Sequence, residues 1–213
     1  MTTATPIDEV LEELNGRLDL PAVGARLQQQ IQAEEAARQK FYDDLRDGDK
    51  HEFINGETVM ASPVRNGHNQ VMRKLVVALD HHLGSTGASR GEMAFDSVMI
   101  RLPRNDYHPD VCYWPPAVAA TITPETTIHP VPTWIAEILS PSTADRDRGV
   151  KFRDYAANGV EEYLIVDPDA RLIEQYVSHD RQPYELRRKL DAGTFDSVAI
   201  PGLTLDLATI FAA

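Results

Sequence analysis

Two carboxylates lie inside runs that otherwise have the character of buried β-strand: Asp110 in His108-Pro109-Asp110-Val111 and Glu137 in Trp134-Ile135-Ala136-Glu137-Ile138-Leu139. Taking a carboxylate out of water is costly unless hydrogen bonds or a cation offset it. A chain with this pattern must fold so that both acids meet such partners, and a divalent metal ion is the economical one. Lys151 follows on a predicted helix. The order strand acid, strand acid, helix amine points to a metal-dependent phosphodiesterase site.

The surrounding pattern predicts the elements that would carry these residues. The chain has 213 residues and is 42% hydrophobic, enough for one domain of ordinary size with an appendage. We divide it into a helical extension over residues 1–47 and a main domain over 48–213. In the extension, Val10, Leu11 and Leu14, then Val23, Leu27, Ile31 and Leu45, recur at helical spacing, and Pro21 separates two helices. Their narrow apolar stripe either caps the main domain or pairs with a second subunit. Asn55-Gly56 between Phe53-Ile54 and Thr58-Val59-Met60 predicts a tight hairpin. Val71, Leu75, Val76, Leu79 and Leu83 share one face of a helix over 66–84, opened by Asn66 and stopped by Gly84.

Strands are predicted at about 93–102, 109–114 and 132–139, followed by a helix over about 144–158 whose start the hydroxyls of Ser140, Ser142 and Thr143 cap. A buried strand at Tyr163–Val166, a turn at Asp167-Pro168-Asp169 and a strand at Leu172–Val177 come next, with shorter strands at about 184–190 and 195–200. The result is an α+β or mixed α/β fold.

Several function classes are excluded. A formal net charge of −12 argues against indiscriminate binding to nucleic acid, so any such contact must be local. The single cysteine, Cys112, permits no internal disulfide, reads as a packing residue and fits a reducing cytoplasm. The opening Met1–Pro6 lacks the basic start and apolar core of a secretion signal, and no stretch reaches the roughly 18 apolar residues of a membrane span. His81 and His82 are adjacent rather than four apart, which excludes a helical zinc pair. The Ser140–Thr143 hydroxyls lack the glycine-flanked elbow of a nucleophilic serine, and no glycine-rich phosphate cradle precedes a Lys-Ser or Lys-Thr pair.

The ordered segments His51-Glu52-Phe53-Ile54-Asn55-Gly56-Glu57, Pro109-Asp110-Val111, Glu137–Thr143, Asp147-Arg148-Gly149-Val150-Lys151 and Gly159–Pro168 resemble the Uma-two family of restriction-endonuclease-like proteins over roughly residues 48–211. That resemblance implies a PD-(D/E)XK nuclease core: a mixed central sheet flanked by helices, with a metal site along two adjacent strands. Glu137 matches the second acidic position, whereas the residue two further on is Leu139 instead of lysine. The resemblance implies that the basic role has moved to Lys151.

Phosphodiester hydrolysis needs charge stabilisation at phosphorus, a nucleophilic water and relief for the departing oxygen, which Mg²⁺ or Mn²⁺ supplies. Asp110 and Glu137 are the expected ligands, with the backbone carbonyl of Ile138 as a further oxygen. Lys151 is expected to orient the water and offset phosphate charge. Glu52 matches the acidic position of the family's early motif and either extends the metal shell or forms a surface ion pair. His68 either contacts phosphate or a carboxylate in the same pocket or bonds within its helix start. Arg148, with Arg146 and Arg153, forms either a phosphate-facing patch or a solvated helix face, while alternation along a strand explains Arg187-Arg188-Lys189. The expected function is a divalent-metal-dependent endonuclease acting on DNA, with the N-terminal helices either docked on the main domain or pairing two copies as a homodimer. The alternative is an inactive nuclease-fold module that binds nucleic acid or a protein partner.

Overall fold

A computed structural model describes residues 6–46, 48–60, 63–85 and 91–212, so the opening Met1–Thr5 lies outside the described residues. Helices α1 (Pro6–Asn15) and α2 (Leu20–Asp44) open the chain. Pro21 sits in the first turn of α2, where its missing N–H leaves no bond unmade, so the break falls just ahead of it. Strands β1 (His51–Ile54) and β2 (Glu57–Met60) pair across Asn55 and Gly56, both with positive φ, as the dipeptide predicted. Helix α3 (Asn66–Ser85) buries Val71, Leu75, Leu79 and Leu83.

The single strand expected over 93–102 is two: β3 (Glu92–Phe95) and β4 (Met99–Arg101), which join different sheets. The chain turns between them at Asp96, whose φ is 69°. Then follow β5 (Asp106–Tyr107), β6 (Val111–Trp114), α4 (Pro116–Ala119), β7 (Ile128–His129) and β8 (Trp134–Ile138). The helix expected over 144–158 is also two, α5 (Ala144–Asp147) and α6 (Val150–Ala157), parted at Gly149 with φ −112° and ψ −97°. No hydroxyl caps α5: those of Ser140, Ser142 and Thr143 bond to one another, and Thr143 Oγ1 accepts the Ser140 N–H. The chain ends with β9 (Glu162–Asp167), β10 (Leu172–Val177), β11 (Glu185–Leu190), β12 (Thr194–Asp196), β13 (Thr204–Asp206) and α7 (Leu207–Ile210).

A six-stranded mixed sheet, ordered β11-β10-β9-β8-β6-β3, forms the centre, with β8 and β9 parallel and the other pairs antiparallel. Alternation along its strands sorts side chains into two cores. Val111, Trp134, Ala136, Ile138, Leu164 and Val166 pack with α3 and α7, while Cys112, Trp114, Ile135, Tyr163 and Ile165 pack with α6 and the second sheet. That second sheet is five-stranded, β2-β1-β5-β4-β7. The small β12–β13 ribbon closes the first core through Phe195 and Leu205. Its approach is secured by Glu162, fully buried on β9, which accepts from Gln175 Nε2, Ser197 Oγ and the N–H groups of Val198 and Ala199 at 2.6–2.9 Å. The N–H groups of Val198 and Ala199 go to this carboxylate and not to a neighbouring strand, and the strand expected over 195–200 stops at Asp196.

The second half of α2 docks on the five-stranded sheet. Phe41 packs with Phe53 and Met99, and Arg38 grips fully buried Asp106 through Nε at 2.7 Å and Nη2 at 2.8 Å, joined by the Tyr42 hydroxyl at 2.7 Å. The first half of α2 and all of α1 leave apolar side chains in solvent, among them Ile7, Val10, Leu11, Leu27 and Ile31. No described helix is long and apolar enough to cross a membrane.

Candidate active site

Strand parity brings the acids together. On β8, Ile135 and Glu137 face α6 while their neighbours face α3. β6 runs antiparallel to β8 with Val111 opposite Ala136, which sets Asp110 beside Glu137. The Asp110 N–H donates to Glu137 Oε2 at 3.3 Å, and the Ile138 N–H donates to Asp110 Oδ2 at 2.7 Å. From the first turn of α3, His68 Nε2 stands 3.1 Å from the same Asp110 oxygen. From β1, Glu52 Oε1 accepts the N–H of His108 at 3.0 Å.

Helix α6 supplies the amine. Lys151 Nζ lies 2.9 Å from Glu52 Oε1, 3.0 Å from Glu137 Oε1 and 3.5 Å from Asp147 Oδ1, and it is 4% exposed. One turn further on, the Tyr155 hydroxyl donates to Glu137 Oε1 at 2.8 Å. The residues Glu52, His68, Asp110, Glu137, Asp147 and Lys151 share the wall of one cavity of about 570 Å³.

Four carboxylates thus face one ammonium and one imidazole. Burial raises the pKa of Glu137 well above the ordinary carboxylate range, opposed by Lys151 and reinforced by Asp147, Asp110 and Glu52. Asp147 is raised as well, by burial first, opposed by Lys151 and by a hydrogen bond with Thr143 and reinforced by Asp110 and Glu52. Burial works against the Lys151 ammonium, yet Glu137, Glu52 and Asp147 outweigh it and hold the proton more tightly than on a free lysine. At His68, desolvation is likewise overcome by Asp110, and the imidazole pKa is raised. The group is short of positive charge.

This arrangement fits a hard cation. All its anionic donors are oxygens, its negative charge exceeds what Lys151 and His68 supply, and Asp147 Oδ1 is buried with no hydrogen-bond partner. Among the described residues, no three His, Cys, Asp or Glu side chains already converge in a metal-binding geometry. The Lys151 ammonium stands between the carboxylates instead.

Glu52, His68, Asp110, Glu137 and Lys151 therefore meet in one place. Arg148 does not join them: its guanidinium pairs with Glu174, beside Lys189 on β11. Arg146 lines the cavity in its stead, its Nε buried without a partner. Ile138, expected to lend its backbone carbonyl, turns its side chain into the opposite core while its N–H bonds Asp110. The sequence reading missed Asp147 and Tyr155 as site residues, although both sit four residues from Lys151, on the turns of chain that flank it.

A family profile, Uma2, described as "Putative restriction endonuclease", matches residues 35–208. The chain belongs to the Uma2 family. The Uma2 match begins within α2, at the half that docks on the sheet, and restriction-endonuclease-like families of this kind generally use divalent metals. Among curated proteins, "Uncharacterized protein slr1290" of Synechocystis is 27% identical over 140 residues, covering 63% of this chain and 70% of that one. Among solved structures, "a putative nuclease belonging to DUF820" from Anabaena variabilis superposes with a TM-score of 0.67 at 16% identity, over 81% of this chain and 95% of the other. At that identity the likeness concerns the fold, and this Uma2 protein has the restriction-endonuclease-like α+β architecture.

Proposed function

We propose that this protein is a divalent-metal-dependent endonuclease that hydrolyses DNA phosphodiester bonds. The observation that carries the reading is the convergence of Glu52, Asp110, Glu137 and Asp147 on a single buried ammonium in one cavity. Asp110 and Glu137 would hold Mg²⁺ or Mn²⁺, with Glu52 and the Ile138 carbonyl extending the oxygen set. Bound there, such an ion supplies charge stabilisation to the attacked phosphoryl group and lowers the pKa of water.

The chain's own groups do the positioning. Lys151 stays an ammonium among its carboxylates, so it orients water and counters phosphate charge by donating hydrogen bonds. His68, fixed to Asp110 through Nε2, has Nδ1 unpaired for a substrate oxygen. On the cavity wall, Arg146 takes the phosphate-facing part expected of Arg148. With a net charge of −12, contact with the polymer is confined to this opening. The lone Cys112, buried and free, suits a cytoplasmic protein. Exposed apolar side chains on α1, Ile7 at 70% and Leu11 at 57%, suit pairing with a second copy through the N-terminal helices.

A second reading, an inactive module that binds nucleic acid or a protein, is favoured by one observation: Leu139 stands where the resemblance expects lysine. The deciding assay measures Mg²⁺- and Mn²⁺-dependent cleavage of single- and double-stranded DNA and RNA. Asp110→Asn, Glu137→Gln and Lys151→Met should each lower the rate by at least about 10²-fold. Cleavage untouched by all three changes rejects the site, and binding without turnover by the natural protein selects the module.

A further inference from the structure

Buried carboxylates away from the cavity are richly satisfied. Glu162 accepts from four donors. Asp106 is held by Arg38 and Tyr42, and Glu174 by Arg148, Lys189 and Tyr176. Asp147 is held more loosely: it is 1% exposed, the Thr143 side chain bonds to its carboxylate, and Oδ1 makes no hydrogen bond and meets only the Lys151 ammonium, at 3.5 Å. A buried carboxylate oxygen with so distant a partner is destabilising, so folds do not leave one without a reason.

Anchoring Lys151 is not a sufficient reason. Glu52 and Glu137 already meet Nζ at 2.9 and 3.0 Å, and Asp147 Oδ1 at 3.5 Å is the outermost of the three. It is the acid best placed to turn toward another cation while the other two keep the amine. It lines the same cavity as Asp110 and Glu137, and its charge is felt at Glu137 and His68. Its place at the end of α5, one turn of chain before Lys151, fixes it there.

We propose that Asp147 is a third carboxylate ligand of the site, completing with Asp110 and Glu137 an oxygen set for a divalent cation. The assignment rests on the metal-dependent reading above and adds a ligand that the strand acids alone do not provide.

The test is Mn²⁺ binding by the full-length, metal-stripped protein, with free Mn²⁺ followed by electron paramagnetic resonance. Asp147→Asn should weaken binding at least about tenfold. The same substitution in a Lys151→Met background should weaken it again, relative to Lys151→Met alone. Unchanged affinity in Asp147→Asn, or an effect that vanishes once Lys151 is gone, overturns the proposal and leaves Asp147 as a positioner of the amine. An independent readout uses Asp147→Cys titrated with Cd²⁺, which should give a thiolate-to-metal charge-transfer band absent from the natural protein. No band would count against the ligand. If the natural protein binds Mn²⁺ through Asp147 but cuts no nucleic acid, the endonuclease reading fails and the ligand stands. If it binds no Mn²⁺, both fall.

Discussion

At the scale of the residue, Asp147 carries a stability signature opposite to that of an ordinary ion-paired aspartate. Its pKa is raised in the folded protein, by burial first and by Asp110 and Glu52 further, so protonation favours folding. The contribution is present below the unfolded carboxylate pKa and is lost as pH rises through the folded value. In EDTA, Asp147→Asn should therefore be more stable than the natural protein at neutral pH, with the difference closing on acidification. Urea midpoints measured across pH check this, and a variant less stable at neutral pH would refute it. Asp110 and Glu137 stood out in the sequence because each interrupts an apolar run, a local signal, although Asp110 lies just ahead of β6 and not within it. Asp147 was not, since an aspartate among arginines looks the same whether its helix faces solvent or a cavity.

Among the elements, the break between α5 and α6 is what aims the site. On one continuous helix, Arg148 and Lys151 would lie three residues apart on a shared face. The interruption at Gly149 shifts that phase, turning Arg148 to Glu174 and Arg146 to the cavity. A Cβ at Gly149 would come within 2.5 Å of the Asp145 carbonyl oxygen, so Gly149→Ala must displace α5 against α6. We expect a loss of about 1–3 kcal/mol in urea unfolding, together with weaker metal-dependent activity. Stability unchanged by this substitution would show that the two helices can slide without cost. The hairpin was readable because Asn-Gly encodes its own turn. The β3–β4 break was not, because Asp96 adopts positive φ with no glycine to announce it, and the two strands' membership of separate sheets depends on distant partners.

For the whole molecule, α2 is two things at once. Its second half belongs to the body through Arg38, Phe41 and Tyr42, while its first half stays largely in solvent, with half-exposed Leu27 and Ile31 bordering a cavity beside Phe53 and Pro103. The helical pattern of the extension was visible in the sequence, but the point where docking begins was not, because it is set by Asp106 sixty-odd residues away. Removing residues 1–33 should change the unfolding free energy by no more than about 0.5 kcal/mol. Removing residues 1–47 also takes Arg38 from fully buried Asp106 and should cost about 3–5 kcal/mol. Urea titration of the two truncations separates these outcomes, and sedimentation of the shorter deletion shows whether the outer helices hold copies together. At the other end of the chain, the four donors gathered on Glu162 have a consequence for how the molecule comes apart. One side chain of a central strand is the latch for the 197–199 turn and hence for the ribbon beyond it, so the carboxy-terminal segment cannot peel away while β9 is intact. The two ends of the chain thus differ in kind: one is an arm at liberty, the other a clasp that opens only when the middle does.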